Sequence, residues 1–210
     1  MRRKLISTLF VLGFWVEASA AEIAVRVLDG VQIIVVSGTL EFGDDKTFVA
    51  AALPLDDALV VLSGPGGNLH AGIQIGRAIR LKNFDTLVPG GSECASACAL
   101  AWLGGSRRGL PNTAQVGFHS ASKLNANGTL ETVGPANALV GAYLNQLGLS
   151  TSAIVYLTEA APGSMRWLSP AEARARAIDL HAIGSSERPS NGHFKARACE
   201  HQDCVRNPPE

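Results

Sequence analysis

The sequence predicts an α/β domain with a largely parallel sheet, preceded by a short apolar leader and followed by a polar tail. Short apolar runs alternate with longer segments of helical character, as in proteins whose helices cover a parallel sheet. Two glycine-rich turns each join such a run to a helical segment. Hydrophobic residues make up 47% of the 210 residues and charged residues 17%, which is typical of a globular chain with a sizeable core.

The first twenty residues are typical of a secretory signal. Three basic residues at positions 2–4 precede a mostly apolar stretch over 5–16, and Ala18-Ser19-Ala20 is a small-residue cleavage site. The apolar stretch is shorter than the roughly 20 residues needed to cross a bilayer. We therefore expect cleavage near Ala20, a periplasmic or secreted mature protein, and contact with the membrane only through the signal peptide.

The charge balance disfavours nucleic acid as a partner. The chain has 18 basic and 18 acidic residues, and the leader contains three of the basic and one of the acidic ones. The mature protein therefore has a net charge of about −2 and lacks the basic excess of nucleic-acid-binding domains.

The secondary-structure elements are predicted from hydrophobic periodicity and from turn-forming residues such as glycine and proline. Asp29-Gly30 joins two β-branched runs, which predicts a hairpin. The continuous apolar run 58–63 predicts a strand buried on both faces, and Ser169-Pro170 is typical of a helix start. In order, we expect strands over 23–28 and 31–38, a helix from Asp44 or Asp45 to Ala52, strand 58–63, helix 69–81, strand 84–88, helix 94–103, strand 115–119, helices 135–147 and 150–160, a helix from 169, and strand 178–183. The domain thus spans residues 21–184, the polar tail spans 185–210, and Arg107 and Arg108 are expected in a solvated turn.

Ser96 and His119 are the residues best placed for chemistry. Ser96 comes just after the second glycine turn, near a predicted helix start, where unpaired main-chain N–H groups stabilise developing negative charge. A serine needs a base to act as a nucleophile at neutral pH. His119 follows Ser96 by 23 residues and ends a predicted strand.

Four segments carry a family resemblance: VLSGPGGNLHAG (61–72), GGSECASACALAWLGG (90–105), LPNTAQVGFHS (110–120) and RWLSPAEA (166–173). In this order they resemble the Clp protease proteolytic subunit and its relatives of the crotonase fold, and the exported form resembles a periplasmic branch. The resemblance covers residues 58–183, about 60% of the chain. It implies a spiral of β-β-α units.

The resemblance also implies roles. Ser96 takes the position of the nucleophile and His119 that of the general base, while the main-chain N–H groups of Gly67 and Ala97 take the oxyanion positions. It implies a peptide or protein substrate, no cofactor or metal, and self-association into a homo-oligomer. Because an exported chain meets no ATP, we expect no ATPase partner.

The third member of the triad is open. The family's acid precedes the aromatic residue of the last motif, and here the stretch 162–167 holds no Asp or Glu. Glu159 or Ser164 can substitute, a main-chain carbonyl can orient His119, or the protein is a non-catalytic peptide-binding or assembly protein. A crotonase-like enzyme acting on a coenzyme A thioester is disfavoured by export and by the lack of a basic phosphate-binding cluster.

Four cysteines remain in an exported chain, where pairing is favoured. Cys199 and Cys204 are expected to close a small loop in the tail. Cys94 and Cys98 can also pair, but two cysteines one helical turn apart have poor disulfide geometry, so this pairing is open. Histidines near the tail cysteines match no zinc-binding spacing.

Overall fold

The computed structural model describes residues 20–183. The predicted signal peptide up to residue 19, the tail from 184 and the proposed Cys199–Cys204 pair lie outside the described residues. The elements in chain order are β1 (Glu22–Leu28), β2 (Val31–Leu40), α1 (Asp44–Ala52), β3 (Leu59–Gly67), α2 (Leu69–Leu81), β4 (Asp85–Leu87), β5 (Glu93–Ala95), α3 (Ala97–Leu103), β6 (Arg108–Pro111), β7 (Gln115–Phe118), β8 (Ser122–Leu124), β9 (Leu130–Thr132), α4 (Gly134–Gln146), α5 (Thr151–Thr158), β10 (Arg166–Trp167), α6 (Pro170–Ala175) and β11 (His181–Ile183).

The central sheet is largely parallel, as the sequence predicts. β3 lies at its centre and pairs with β2 on one side. On its other side, the first half of β3 pairs with β4, and Gly64 farther along pairs with Cys94 of β5. The sheet therefore forks along β3: one arm continues through β4, β6 and β11, and the other continues through β5, β7 and β10. The antiparallel pairs in this sheet are β1 with β2 and β7 with β10.

The buried core lies between this sheet and helices α1–α5. The apolar run of β3 is buried throughout, which explains why its sequence does not alternate. Helices α2 and α3 pack closely because α2 presents glycines to α3: a Cβ at Gly72 would lie 2.4 Å from the carbonyl oxygen of Ala97. This close packing fixes the position of the turn that precedes α3.

Three local expectations were wrong. The strand predicted over 58–63 does not end in a glycine turn but continues as β3 to Gly67, because Gly66 and Gly67 pair with Thr39 and Leu40 of β2. The predicted helix 94–103 begins at Ala97, because Cys94 pairs in register with both Gly64 and Val116 and so belongs to a strand. Arg108 does not lie in a solvated turn but is buried in β6, where its side chain donates to the carbonyl oxygens of Leu103 and Asp179, each at 2.9 Å. Burial lowers the pKa of Arg108 to about 10, and the nearby Arg80 acts in the same direction.

Four short elements were not expected from the sequence: strand β6, the two strands β8 and β9 of an exposed hairpin, and the two-residue strand β10. Short strands with few apolar residues carry a weak periodic signal. Within residues 20–183, no helix combines the length and apolar character needed to cross a bilayer.

Candidate active site

Ser96 and His119 follow two neighbouring parallel strands at the same edge of the sheet. β5 and β7 pair in register, with Ala95 opposite Gly117, and the chain leaves β5 at Ser96 and β7 at His119. The N–H of Ser96 donates to the carbonyl oxygen of Gly117 at 2.8 Å, which extends the pairing by one residue. The sheet thus brings together two residues that are 23 positions apart in the sequence.

Both residues line one pocket of about 380 Å³, together with Gly67 and Ala97. The four positions that the resemblance assigned to catalysis therefore share one cavity. The remaining wall is mostly apolar and includes Leu100, Val140 and Leu157. An apolar wall beside a few convergent polar groups is the usual composition of a ligand-binding cleft.

Ser96 occupies a strained turn between strand and helix. Its backbone angles are φ 54° and ψ −120°, a conformation that costs a non-glycine residue about 1–3 kcal/mol. Serine nucleophiles of other hydrolases sit at sharp strand-to-helix turns of this kind, which expose the hydroxyl. The half-buried Ser96 is flanked by buried residues on both sides.

A disulfide closes around this turn. Cys94 and Cys98, two residues before and two residues after Ser96, are bonded and buried. The helical geometry that left this pairing open in the sequence does not apply, because Cys94 lies in β5 and Cys98 in α3. Their Cα atoms are 5.2 Å apart, within the usual range for a disulfide.

The glycine-rich end of β3 packs directly against the turn at Ser96. A Cβ at Gly66 would lie 2.7 Å from the carbonyl oxygen of Ala95, 2.7 Å from Cβ of Ser96 and 2.9 Å from the nitrogen of Ala97. Gly66 also has φ +104°, so its conformation and its surroundings both favour glycine. As the first residue of α3, Ala97 has no intrahelical acceptor for its N–H.

His119 is held by the main chain of the next residue. Its Nδ1 lies 2.8 Å from the carbonyl oxygen of Ser120. A carbonyl oxygen can only accept, so Nδ1 carries the hydrogen, and in the neutral ring Nε2 carries the lone pair. Ser120 is itself fixed, because its N–H donates to the carbonyl oxygen of Ala160 at 2.8 Å. The histidine therefore has the tautomer that a general base acting through Nε2 requires.

Glu159 and Ser164, the two side chains considered for the third position, are engaged elsewhere. The carboxylate of Glu159 forms an exposed ion pair with Arg166. The hydroxyl of Ser164 donates to the carbonyl oxygen of Ala161 at 3.0 Å. The acceptor observed at His119 is instead a main-chain carbonyl, the other alternative that the sequence left open.

Sequence reasoning did not single out Asn137, whose side chain bonds to the main chain of Ala121 beside the pocket. An asparagine near a predicted helix start is ordinarily taken for a cap, so its position gave no signal of a role in the site. Among residues 20–183, no cluster of three or more His, Cys, Asp or Glu side chains is placed to hold a metal ion.

Comparison with known proteins shows similarity at the level of structure. No protein-family model matches the chain, and no curated protein matches it in sequence. Among solved structures, a serine-to-alanine mutant of 1510-N, a membrane-bound stomatin-specific protease, superposes with a TM-score of 0.56 at 17% identity, covering 71% of this chain and 77% of that one. A lysine-to-alanine mutant of the same protease in complex with a substrate peptide gives 0.54 at 18%, covering 71% and 73%.

A bacterial protease shows the same likeness over more of its length. ClpP1 from Listeria monocytogenes superposes with a TM-score of 0.53 at 18% identity, covering 72% of this chain and 91% of that one. An asparagine-to-aspartate mutant of the same protein gives 0.55 at 16%, covering 73% and 92%. With its largely parallel forked sheet, the chain therefore has the fold of the ClpP-like serine proteases.

Proposed function

We propose that this chain is a periplasmic serine hydrolase, a peptidase that acts by acyl transfer from Ser96 with His119 as its base and without ATP. One observation carries the proposal: Ser96 and His119 follow paired parallel strands and line one pocket, and the glycine-rich end of β3 packs against Ser96. The leader-like residues 1–20 and the disulfide around Ser96 support an oxidising compartment.

The proposed reaction begins when Ser96 Oγ attacks a peptide carbonyl carbon and Nε2 of His119 takes the hydroxyl proton. The N–H groups of Gly67 and Ala97 hold the resulting oxyanion. The C–N bond then breaks, Nε2 returns the proton to the leaving amine, and the acyl group stays on Ser96. Water activated by His119 hydrolyses this ester and restores the serine.

The substrate we propose is an extended peptide with an apolar side chain at the cleavage point. The side chains that line the pocket around the candidate catalytic residues are mostly apolar, which favours such a side chain. An extended peptide can add along the Gly66-Gly67 segment through main-chain hydrogen bonds. We also propose that the protein self-associates through the helices after Pro135, where α4 exposes the apolar side chain of Leu139.

A fluorophosphonate probe tests the proposal, because it forms a covalent bond only with an activated serine. We expect the mature protein to be labelled at Ser96, with labelling abolished in Ser96→Ala. In His119→Ala labelling should slow by about 10²- to 10⁴-fold, the usual contribution of a general base. Peptide mapping by mass spectrometry identifies the labelled residue.

Ser92→Ala is the matched control, because Ser92 precedes β5, four residues before Ser96, and does not line the pocket. It should be labelled at the wild-type rate. Absence of labelling in the wild type, or equal labelling of Ser96→Ala, would refute the proposal. The non-catalytic alternative would then gain support if the unlabelled protein still bound extended peptides.

A further inference from the structure

The peptide unit between Ser120 and Ala121 is hydrogen-bonded at both of its polar atoms. Its carbonyl oxygen accepts from Nδ1 of His119 at 2.8 Å. Its N–H donates to Oδ1 of Asn137, also at 2.8 Å. We propose that Asn137 is a positioning residue for His119, which holds through this one peptide unit the acceptor that orients the imidazole. The inference rests on the proposed function and assigns the orienting role that no carboxylate fills among residues 20–183.

The orientation of the Asn137 amide is fixed by its partners. The N–H of Ala121 can only donate, so the oxygen of the amide must face it. The amide nitrogen then points to two acceptors, the carbonyl oxygens of Ala121 and Val133, each at 3.0 Å. The side chain therefore makes three hydrogen bonds, and exchanging its oxygen and nitrogen would break all of them.

A peptide unit transmits this constraint because it is rigid. Partial double-bond character keeps the C=O and N–H groups in one plane, so fixing the N–H also fixes the carbonyl. Donation by the N–H also polarises the carbonyl oxygen and strengthens it as an acceptor. Neighbouring bonds hold the ends of the segment: Ser120 N–H donates to Ala160, and Val133 N–H donates to the carbonyl oxygen of Ala121 at 2.9 Å.

The physical consequence is an orienting group without a charge. A carboxylate at this position would fix the tautomer and also stabilise the imidazolium that forms during the reaction. The carbonyl of Ser120, held by Asn137, supplies the first effect. Loss of Asn137 should therefore affect the chemical step more than the binding of a substrate, because the pocket wall stays in place.

The test uses fluorophosphonate kinetics on the mature protein, with the maximal labelling rate separated from the probe's apparent affinity. In Asn137→Ala we expect the maximal rate to fall about tenfold or more, with the apparent affinity within about twofold of wild type. Asn145→Ala is the matched control, because Asn145 is an exposed asparagine on the same helix. It should leave both quantities unchanged.

A spectroscopic measurement separates orientation from general destabilisation. Nitrogen-15 spectra of His119 should show the Nδ1–H tautomer in wild type and in Asn145→Ala, and a mixture of tautomers in Asn137→Ala. Asn137→Asp keeps the acceptor for the Ala121 N–H and loses the two donors, so its labelling rate should lie between wild type and Asn137→Ala. Circular dichroism confirms that each variant is folded, and Asn137→Asp carries the test if the alanine variant is not.

The outcomes separate this inference from the proposed function. If wild type is not labelled at Ser96, the proposed function fails. If wild type is labelled but folded Asn137→Ala keeps its rate and its tautomer, the proposed function survives and the role of Asn137 is overturned. If Asn137→Asp is as slow as Asn137→Ala while His119 keeps the wild-type tautomer, the loss of rate does not come from the orientation of the imidazole, which also overturns it.

Discussion

The two halves of the candidate site are held in different ways. The serine turn is closed by a disulfide between Cys94 and Cys98 and is packed against Gly66 with no space for an added methyl group. The imidazole of His119 bonds to the carbonyl oxygen of Ser120, and the same peptide unit donates its N–H to the amide of Asn137. The strained backbone lies on the covalently closed side, at Ser96. A disulfide and close packing therefore fix the proposed nucleophile Ser96, while hydrogen bonds fix the proposed base His119.

The largest effect is expected from adding a methyl group at Gly66, which packs against Ser96. In Gly66→Ala, the new methyl group would lie 2.7 Å from the Ala95 carbonyl oxygen and from Cβ of Ser96, and the backbone has φ +104°. Strain and overpacking together should cost about 2–5 kcal/mol of unfolding free energy. The displaced serine turn should lower the fluorophosphonate labelling rate by about a hundredfold or more. Urea unfolding and labelling kinetics measure the two effects.

Gly43→Ala separates the effect of backbone strain from the effect of steric contact with the serine turn. Gly43 has nearly the same backbone angle, φ +101°, and nothing within 4 Å of an added Cβ. It should lose about 1–2 kcal/mol of stability and keep the wild-type labelling rate. If both alanine variants slow labelling equally, tight packing of Gly66 against the serine turn is not what positions Ser96.

The second-largest effect is expected from removing the disulfide, which tests the contrast between covalent and hydrogen-bonded support. Replacing Cys94 and Cys98 together by alanine should cost about 2 kcal/mol, since the disulfide closes a very short loop. Without it, the turn can relax from the strained angles of Ser96, and we expect labelling to slow about tenfold. Thermal unfolding and labelling kinetics provide the measurements.

His119 is the internal reference for the variant in which Cys94 and Cys98 are both replaced by alanine. Nitrogen-15 spectra of His119 should be unchanged by the double cysteine replacement, whereas Asn137→Ala should change them. A cysteine-free protein that is labelled at the wild-type rate would show that packing alone maintains the serine turn. A changed tautomer at His119 would show that the two halves are not independently held.

The sequence predicted the parts of the site that depend on where strands end and helices begin. The strand that ends beside His119 follows from local residue types, and the parallel sheet follows from alternating strands and helices. The glycines at 64–67 were recognised as part of the site, but they continue β3 instead of forming the predicted turn. The boundary at Ala97 could not be predicted, because short-range apolar character cannot separate a buried strand from a buried helix. The burial of Arg108 could not be predicted, because its acceptors are the main-chain carbonyl oxygens of Leu103 and Asp179 and no side chain in the sequence marks them.

The acceptor for His119 could not be predicted for a related reason. It is a main-chain carbonyl, which every residue carries, and its support comes from Asn137 in a different element. Searching the sequence for an acid therefore points to Glu159, which the fold pairs with Arg166 instead. Side-chain motifs point to the proposed nucleophile and base, but main-chain hydrogen bonding becomes visible only in the folded protein.

The smallest effects are expected from the side chains that the sequence offered as the third member. Glu159→Gln and Ser164→Ala should each be labelled within about twofold of wild type, because the first removes an exposed ion pair and the second removes a bond to the Ala161 carbonyl. Glu22→Gln, which removes another exposed ion pair on β1, is the matched control. A hundredfold loss in Glu159→Gln alone would mean that this carboxylate leaves Arg166 and reaches the imidazole during the reaction. The base would then be held by a charged side chain, and the contrast between the two halves of the site would have to be withdrawn.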